Sequence, residues 1–367
     1  MVSAAAIVRE VAEAVRLAEG EAGVHDVLRA MRRDGPVSTR ALSRATGLPV
    51  PIVAAVSGEL RKRGIVARER PTRLTDEGRR LFGTAHHAGA PLGPALAELT
   101  ALAELAPRAR GELDQSHCTV ETKVRRAMLL RDEGALEGKR VLLLGDDDLL
   151  SLALHRLGLL ETVAELVVVD VDPAVLAFVA RGLRLRQTKL PVACVEHDLR
   201  HPLPPTFAAR FDTVFTDPPY TVEGAELFLS RAATALAPRV GGSVFLAFGA
   251  KPPVESLRVQ SAIAAMGFVI REIRRNFNDY LHAGILGGTS HLYHLTTTGQ
   301  TKPLADGVHR GDLYTGDKRP ARRYRCASCR RVQQVGRGAR WLTVDLLKSD
   351  GCPECGATRF LPLPRRT

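Results

Sequence analysis

With 367 residues, 45% hydrophobic and 25% charged, the chain is long enough for two or three domains, each with a core of its own. No apolar run approaches the roughly 20 residues that span a bilayer. The N-terminal stretch carries Glu10, Glu13 and Glu19 and lacks the basic start and apolar centre of a secretion signal, so the expected location is the cytoplasm. The net charge of +12 is uneven: residues 1–110 hold 17 Lys and Arg against 12 Asp and Glu, residues 111–299 hold 20 against 22, and residues 300–367 hold 15 against 6. Basic ends suit a polyanion partner or a solvated surface, whereas the slightly acidic middle suits a cationic ligand.

Residues 1–83 read as a winged helix-turn-helix domain. An apolar helical run with Val24, Val27, Leu28 and Met31 precedes Ser38, a short helix (STRALSRATG), a longer one (PIVAAVSGELRKRG) and a β-like stretch. One reading puts residues 51–63 in a nucleic-acid groove with Arg61, Lys62 and Arg63 near phosphate. The other, which we favour, makes this a protein-contact module that holds a homodimer together. Residues 84–116 read as a connector.

From residue 117 to about 300 the pattern alternates strand and helix, as in a doubly wound parallel sheet. Candidate strands are 140–145, 165–170, 191–198, 211–217 and 242–249. Two more, 267–277 and 290–298, lack an intervening helix and suggest an antiparallel closing pair. The expected fold is therefore α/β, a class I methyltransferase-like Rossmann sheet.

In such a sheet the first strand-to-helix turn meets the cofactor. Here it reads Gly145-Asp146-Asp147-Asp148. Three adjacent carboxylates would repel the carboxylate of S-adenosylmethionine and attract ammonium groups, unless one caps the helix and the others are solvated. Asp170 ends the second strand, where an acid commonly accepts ribose hydroxyls, with Asp172 the alternative. Asp198 ends the third, near where an adenine amino group is often bound. Each can equally act as a helix cap.

After the fourth strand comes Asp217-Pro218-Pro219-Tyr220. Two prolines fix the backbone so that a carbonyl and the Asp217 carboxylate face one point, with the Tyr220 ring as a wall. Such a site orients an amine for attack on a carbon beside a sulfonium. An aliphatic amine arrives protonated, so Asp217 also suits proton removal.

Residues 301–320 read as a linker and 321–367 as a zinc ribbon. Cys326-x-x-Cys329 and Cys352-x-x-Cys355 lie 22 residues apart, the spacing of two knuckles holding one tetrahedral, structural zinc. Arg322, Arg323, Arg325, Arg330, Arg331, Arg337 and Arg340 surround them and would hold nucleic acid or keep the small module soluble.

The segments HCTVETKVRRAMLL (117–130), GDDDLLSLAL (145–154), TDPPYTVEG (216–224) and RRNFNDY (274–280) resemble the branched-chain polyamine synthases, also called N4-bis(aminopropyl)spermidine synthases. The resemblance spans residues 117–298 and extends to the N-terminal domain; the zinc-ribbon-like segment is an addition to it. It implies transfer of an aminopropyl group from decarboxylated S-adenosylmethionine to a polyamine amine, releasing methylthioadenosine. It also implies that Asp217 serves the acceptor and that Gly145 to Asp148 line the site. Asn276, Asn278 and Asp279 match a family segment near the pocket or shape a strand end. The runner-up reading is an S-adenosylmethionine-dependent amino-methyltransferase acting on nucleic acid, which would account for DPPY and the basic ends. A third is a polyamine-responsive regulator on an inactive transferase core, which would need a damaged site.

Overall fold

The computed structural model describes residues 3–83, 92–184, 190–281, 288–315, 321–336, 339–341 and 344–364. Parts of the expected connector (84–91) and linker (316–320), Arg337, and the end of the ribbon (365–367) lie outside the described residues.

Five helices build the N-terminal unit: α1 (Ala4–Val15), α2 (Gly20–Asp34), α3 (Thr39–Thr46), α4 (Val50–Lys62) and α5 (Asp76–Phe82). Their apolar faces meet in one core with Val8, Val11, Val27, Leu42, Val53 and Leu60 at its centre. Ser38 caps α3, its hydroxyl accepting the Ala41 N–H at 3.1 Å. The stretch after α4 pairs through isolated bridges, Val37 with Thr72 and Val66 with Leu74, and forms no regular strand among the described residues. Arg61, Lys62 and Arg63 are all engaged within the unit. Arg61 donates to the Ala67 carbonyl and the Thr72 hydroxyl, Lys62 pairs with Glu59, and Arg63 pairs with Glu59 and Glu10.

Helix α6 (Leu92–Glu104) lies within the expected connector but is part of the next core, where Ala95 and Leu99 are buried. Its apolar run packs against α7 (Val120–Asp132) and α8 (Leu150–Arg156). Between and after these helices the chain lays down β1 (Arg140–Leu144), β2 (Glu165–Asp170), α9 (Pro173–Arg184), β3 (Val192–Glu196), β4 (Thr213–Thr216), α10 (Val222–Ala235), β5 (Ser243–Phe248) and α11 (Pro253–Ala265). Two long strands, β6 (Phe268–Asp279) and β7 (Thr289–Thr297), follow. The sheet order is β3-β2-β1-β4-β5-β7-β6, with β1 to β5 parallel and β7 antiparallel to both neighbours. The closing pair is thus present, with the last strand inserted beside β5. Both faces of β1, β4 and β5 are covered by helices, which is why these strands are continuous apolar runs. Among the described residues no helix is long and apolar enough to cross a membrane.

Residues 301–315 are strapped to this domain rather than hanging free. The buried Arg231 guanidinium donates to the carbonyls of Leu199, Arg200, Ala305 and Gly307. Thr221, directly after the DPPY turn, donates its hydroxyl to the Leu313 carbonyl at 2.7 Å, and Thr315 donates to the Asp114 carboxylate. A three-stranded sheet then forms from β8 (Arg322–Cys326), β9 (Val332–Val335) and β10 (Phe360–Pro362), with β8 central, and α12 (Val344–Asp350) packs on it. This small unit meets the domain of the seven-stranded sheet through an Arg108–Asp350 ion pair at 2.8 Å.

Candidate active site

The C-terminal ends of β1, β2 and β4 place the acidic turns on one edge of the sheet, and α7 closes them from the side. Gly145 adopts φ +83°, a left-handed conformation that turns the chain out of β1 without strain only because there is no Cβ. The three aspartates that follow point to three different environments.

Asp146 turns inward. It accepts the Ser151 N–H at 3.2 Å and the Ser151 hydroxyl, so it fastens the start of α8, and burial raises its carboxyl to about 7. Asp148 is also buried, but its carboxylate takes the Cys118 N–H and an ion pair from Arg126 at 2.6 Å. Burial opposes its charge, yet Arg126 and Lys123 outweigh that and hold it down to about 2. Only Asp147 has a carboxylate with no hydrogen-bond partner among the described residues. Burial, then the nearby Asp148, Asp170 and Asp217, push it well above the usual carboxylate range. The loop therefore does not offer three free negative charges, as its sequence suggests. Two carboxyls are engaged by the protein, and the third, Asp147, is unengaged among the described residues and held toward its protonated form until a cation offsets its neighbours.

Asp217 closes β4 and is 13% exposed. Its Oδ2 accepts from Arg126 Nη2 at 2.7 Å and from the Tyr280 hydroxyl at 2.6 Å. Burial raises this carboxyl to about 7 against the pull of Arg126, and contact with Asp148 adds to the rise. Pro218 and Pro219 are buried and carry the chain into the Tyr220 ring. That ring meets Phe248 and Tyr280 edge to face, with centroids 5.6 and 6.2 Å apart. It also lies over Gly249, where a Cβ would fall 2.7 Å from Tyr220 Cδ2. The Tyr220 hydroxyl donates to Tyr280, extending the chain of hydroxyls that ends on Asp217.

The remaining expected residues separate into two groups. Asp170 is buried and accepts the N–H groups of Asp146 and Asp172, so it ties the β1 and β2 turns together, and burial raises it. Asp172 caps α9 through the Ala174 N–H and accepts from Gln115. Asp198 forms a two-pronged ion pair with Arg200, which lowers its carboxyl in spite of partial burial. Asn278 does not face the pocket with a free amide: its oxygen accepts from Arg126 Nε at 2.7 Å and its nitrogen donates to Ser290 at 2.8 Å. Asp279 is half exposed and pairs with Arg125, and Asn276 sits exposed at φ +51° in an irregular part of β6. Neither belongs with the buried carboxylates.

Sequence reasoning missed the residues that organise the site, Lys123, Arg126 and Tyr280. Lys123 donates to the Asp148 carbonyl at 2.8 Å, and Arg126, fully buried, reaches Asp148, Asp217, Asn278 and Tyr280 at once. Its guanidinium also lies 5.1 Å from the Phe215 ring centroid. Two cations three residues apart on the inward face of α7 were the available signal. His117 reinforces the arrangement, its ring nitrogens lying 2.9 Å from the Asp147 carbonyl and 2.8 Å from that of Pro107.

The four cysteines of the ribbon converge as their spacing suggests. All four sulfurs lie within 4.8 Å of one another, and Cys326–Cys355 and Cys329–Cys352 are 3.6 Å apart. A tetrahedron of thiolates at 2.3 Å from zinc has edges of about 3.8 Å, so the donor set fits that ion and leaves no open position.

A family model described as the branched-chain polyamine synthase A C-terminal domain matches residues 95–302. An N4-bis(aminopropyl)spermidine synthase of Thermococcus kodakarensis is 32% identical over 77% of this chain and 84% of its own length. The uncharacterized protein MJ0675 of Methanocaldococcus jannaschii is 34% identical over 98% of this chain and 93% of its own. The crystal structure of the Thermus thermophilus branched-chain polyamine synthase, in complex with N4-aminopropylspermidine and 5'-methylthioadenosine, superposes with a TM-score of 0.55. It is 27% identical, over 85% of this chain and 98% of that one.

Proposed function

Because the chain belongs to the branched-chain polyamine synthase family, we propose that it transfers the aminopropyl group of decarboxylated S-adenosylmethionine to a secondary amine of a spermidine-like polyamine. The observation that carries this reading is the charge balance of the pocket. Five carboxyls, Asp146, Asp147, Asp148, Asp170 and Asp217, cluster against two buried cations among the described residues, Lys123 and Arg126, and four of the five are raised by burial. Such a site gains from cationic ligands and loses from an added carboxylate. The decarboxylated donor is cationic at sulfur and at its amine, and the acceptor is a polycation. S-adenosylmethionine would bring a carboxylate to Asp147, which disfavours the amino-methyltransferase reading.

In this reading Asp147 holds the donor ammonium, and Asp170 or Asp172 faces the ribose. Asp217, with the Pro218-Pro219 turn and the Tyr220 ring, orients the acceptor nitrogen. That nitrogen attacks the carbon beside the sulfonium, the carbon–sulfur bond breaks, and methylthioadenosine leaves uncharged. The proton of the attacking amine passes to Asp217, whose raised affinity for protons suits it to the task. Arg126 and Tyr280 hold the other face of that carboxyl fixed throughout, so alignment supplies much of the rate.

The division of the chain follows the same reading: residues 1–83 as a winged-helix unit that holds a homodimer, the Rossmann-like domain as the catalyst, and residues 321–367 as a ribbon in which Cys326, Cys329, Cys352 and Cys355 would hold a structural zinc. A chain lacking residues 1–83 should then be monomeric by mass. The function itself is tested by titrating the protein with decarboxylated and carboxylated donor, with and without spermidine, and by following methylthioadenosine release. Preference for the carboxylated donor would reverse the assignment.

A further inference from the structure

We infer that the outer face of the C-terminal ribbon binds a single-stranded polynucleotide. Residues 321–367 hold 11 Lys and Arg and only 3 Asp and Glu. Two of those acids are already used, Asp345 by Lys348 and Asp350 by Arg108 and Trp341. Arg322, Arg323, Arg325, Arg330, Arg331 and Arg359 form no ion pair among the described residues. The N-terminal unit is also basic, and there Arg9, Arg33, Arg73, Arg79 and Arg80 each sit on a carboxylate that offsets their field, while Arg16, Arg40, Arg44, Arg68 and Arg70 form no ion pair among the described residues. What sets the ribbon apart is that its unpaired guanidiniums are gathered on one small three-stranded sheet.

Strand alternation then sorts the ribbon into two faces. Tyr324, Cys326, Val335 and Phe360 point inward, into the small core with Trp341 and Leu347. Arg323 and Arg325 on β8 therefore point outward from the central strand. The register puts Arg325 between Leu361 on β10 and Val332 on β9, which are 51% and 45% exposed, and Arg323 beside Gln334. Arg359, just before β10, and Arg330 and Arg331, at the first knuckle, are exposed at the edge of this face. The result is a sheet face on which the guanidinium of Arg325 is flanked by two exposed apolar side chains, Leu361 and Val332. Guanidinium groups take phosphate oxygens in a fork and stack on base planes, and the apolar side chains offer contact area to bases that are not hidden in a duplex. An acidic peptide would use the charge but leave Leu361 and Val332 without a planar partner.

The inference is independent of the transfer reaction and is tested apart from it. Full-length, zinc-loaded protein is titrated into fluorescently labelled 20-nucleotide RNA and DNA of one sequence, single-stranded and duplex, at two or more salt concentrations, with polyglutamate as the peptide probe. Binding of either single strand, tighter than the duplex and weakening with salt, is expected. The triple variant Arg323→Gln, Arg325→Gln, Arg359→Gln should bind at least tenfold more weakly and show a shallower salt dependence. Its zinc content and methylthioadenosine release should match the wild type, and the control Arg79→Gln, Arg80→Gln should bind like the wild type. Equal affinity of the triple variant for the strand, tighter binding of polyglutamate or duplex, or no binding at 0.1 M salt would overturn the inference.

Discussion

Arg126 and Asp217 form a buried ion pair, with Arg126 Nη2 2.7 Å from Asp217 Oδ2, and the same guanidinium holds Asp148 at 2.6 Å. One side chain from α7 thus joins the turn after β1, which faces the donor in our reading, to the turn after β4, which faces the acceptor. Asn278 and Tyr280 complete its shell, so four of its hydrogen bonds end on residues from three other parts of the fold.

Replacing Arg126 by methionine should leave Asp217 without its buried counter-charge and Asp148 with Lys123 alone. Breaking a buried pair from one side typically costs about 3–5 kcal/mol. Transfer should fall by two orders of magnitude or more, because Asp217 loses its orientation as well as its partner. Urea unfolding followed beside methylthioadenosine release checks both. A variant with wild-type turnover would mean that Arg126 is only a packing element.

The pH dependence follows from neighbouring carboxyls displaced in opposite directions. Asp146 and Asp217 rise from 3.8 to about 7, so the native state keeps protons that the unfolded chain has released between pH 4 and 7. Stability of the ligand-free protein should therefore decline as pH rises through that window, by up to about 4 kcal/mol for each group. Asp148 moves from 3.8 down to about 2, and the stability it contributes is lost as pH falls through that lower range. A bound polycation favours ionised Asp217, so ligand binding should release protons between pH 4 and 7. Calorimetry in buffers of different ionisation enthalpy measures that release, and a pH-independent zero would remove Asp217 from the binding site.

Asp147→Asn should separate binding from folding. The Asp147 carboxylate has no hydrogen-bond partner to lose among the described residues, and its removal relieves repulsion with Asp148, Asp170 and Asp217. Thermal stability should stay the same or rise slightly, while affinity for the decarboxylated donor drops about 10- to 100-fold, the loss of one charge-assisted contact. Discrimination against S-adenosylmethionine should shrink in parallel. A variant that binds both donors as the wild type does would place the donor ammonium elsewhere.

The sheet was legible because its strands are buried on both faces: ELVVVD at 165–170 and GSVFLAFG at 242–249 are apolar runs that only covered parallel strands produce. The DPPY turn and the cysteine knuckles were legible because their chemistry resides in the local sequence. The charge of the GDDD turn was not, since which aspartate is free depends on Ser151 five residues on and on Arg126 from a different helix. Asp198 likewise has a partner that strand position alone does not announce: Arg200, two residues away, pairs with it. Helix α6 and the strap at 301–315 lie where small residues, prolines and glycines suggested loose connections. The strap rests on long-range partners such as Arg231 and Asp114, which no local pattern announces, and α6 on the packing of Ala95 and Leu99 against α7 and α8.

Arg231 gives the sharpest test of that strap. Its side chain is 1% exposed and donates to four carbonyls, two after β3 and two in the strap. Arg231→Met keeps most of the volume but leaves those carbonyls unsatisfied, at a cost of about 1–3 kcal/mol for each one that stays buried. The cheapest response is for residues 305–307 to lift away and recover water, which loosens the neighbouring Thr221–Leu313 contact beside the DPPY turn. Amide exchange should therefore accelerate in the strap and around residues 217–224 before the rest of the sheet responds. The Michaelis constant for the polyamine should rise more than that for the donor, since the strap grips the turn that carries Asp217. Uniform acceleration across the whole sheet would instead mean that Arg231 supports the domain at large and that the strap has no particular hold on the acceptor side.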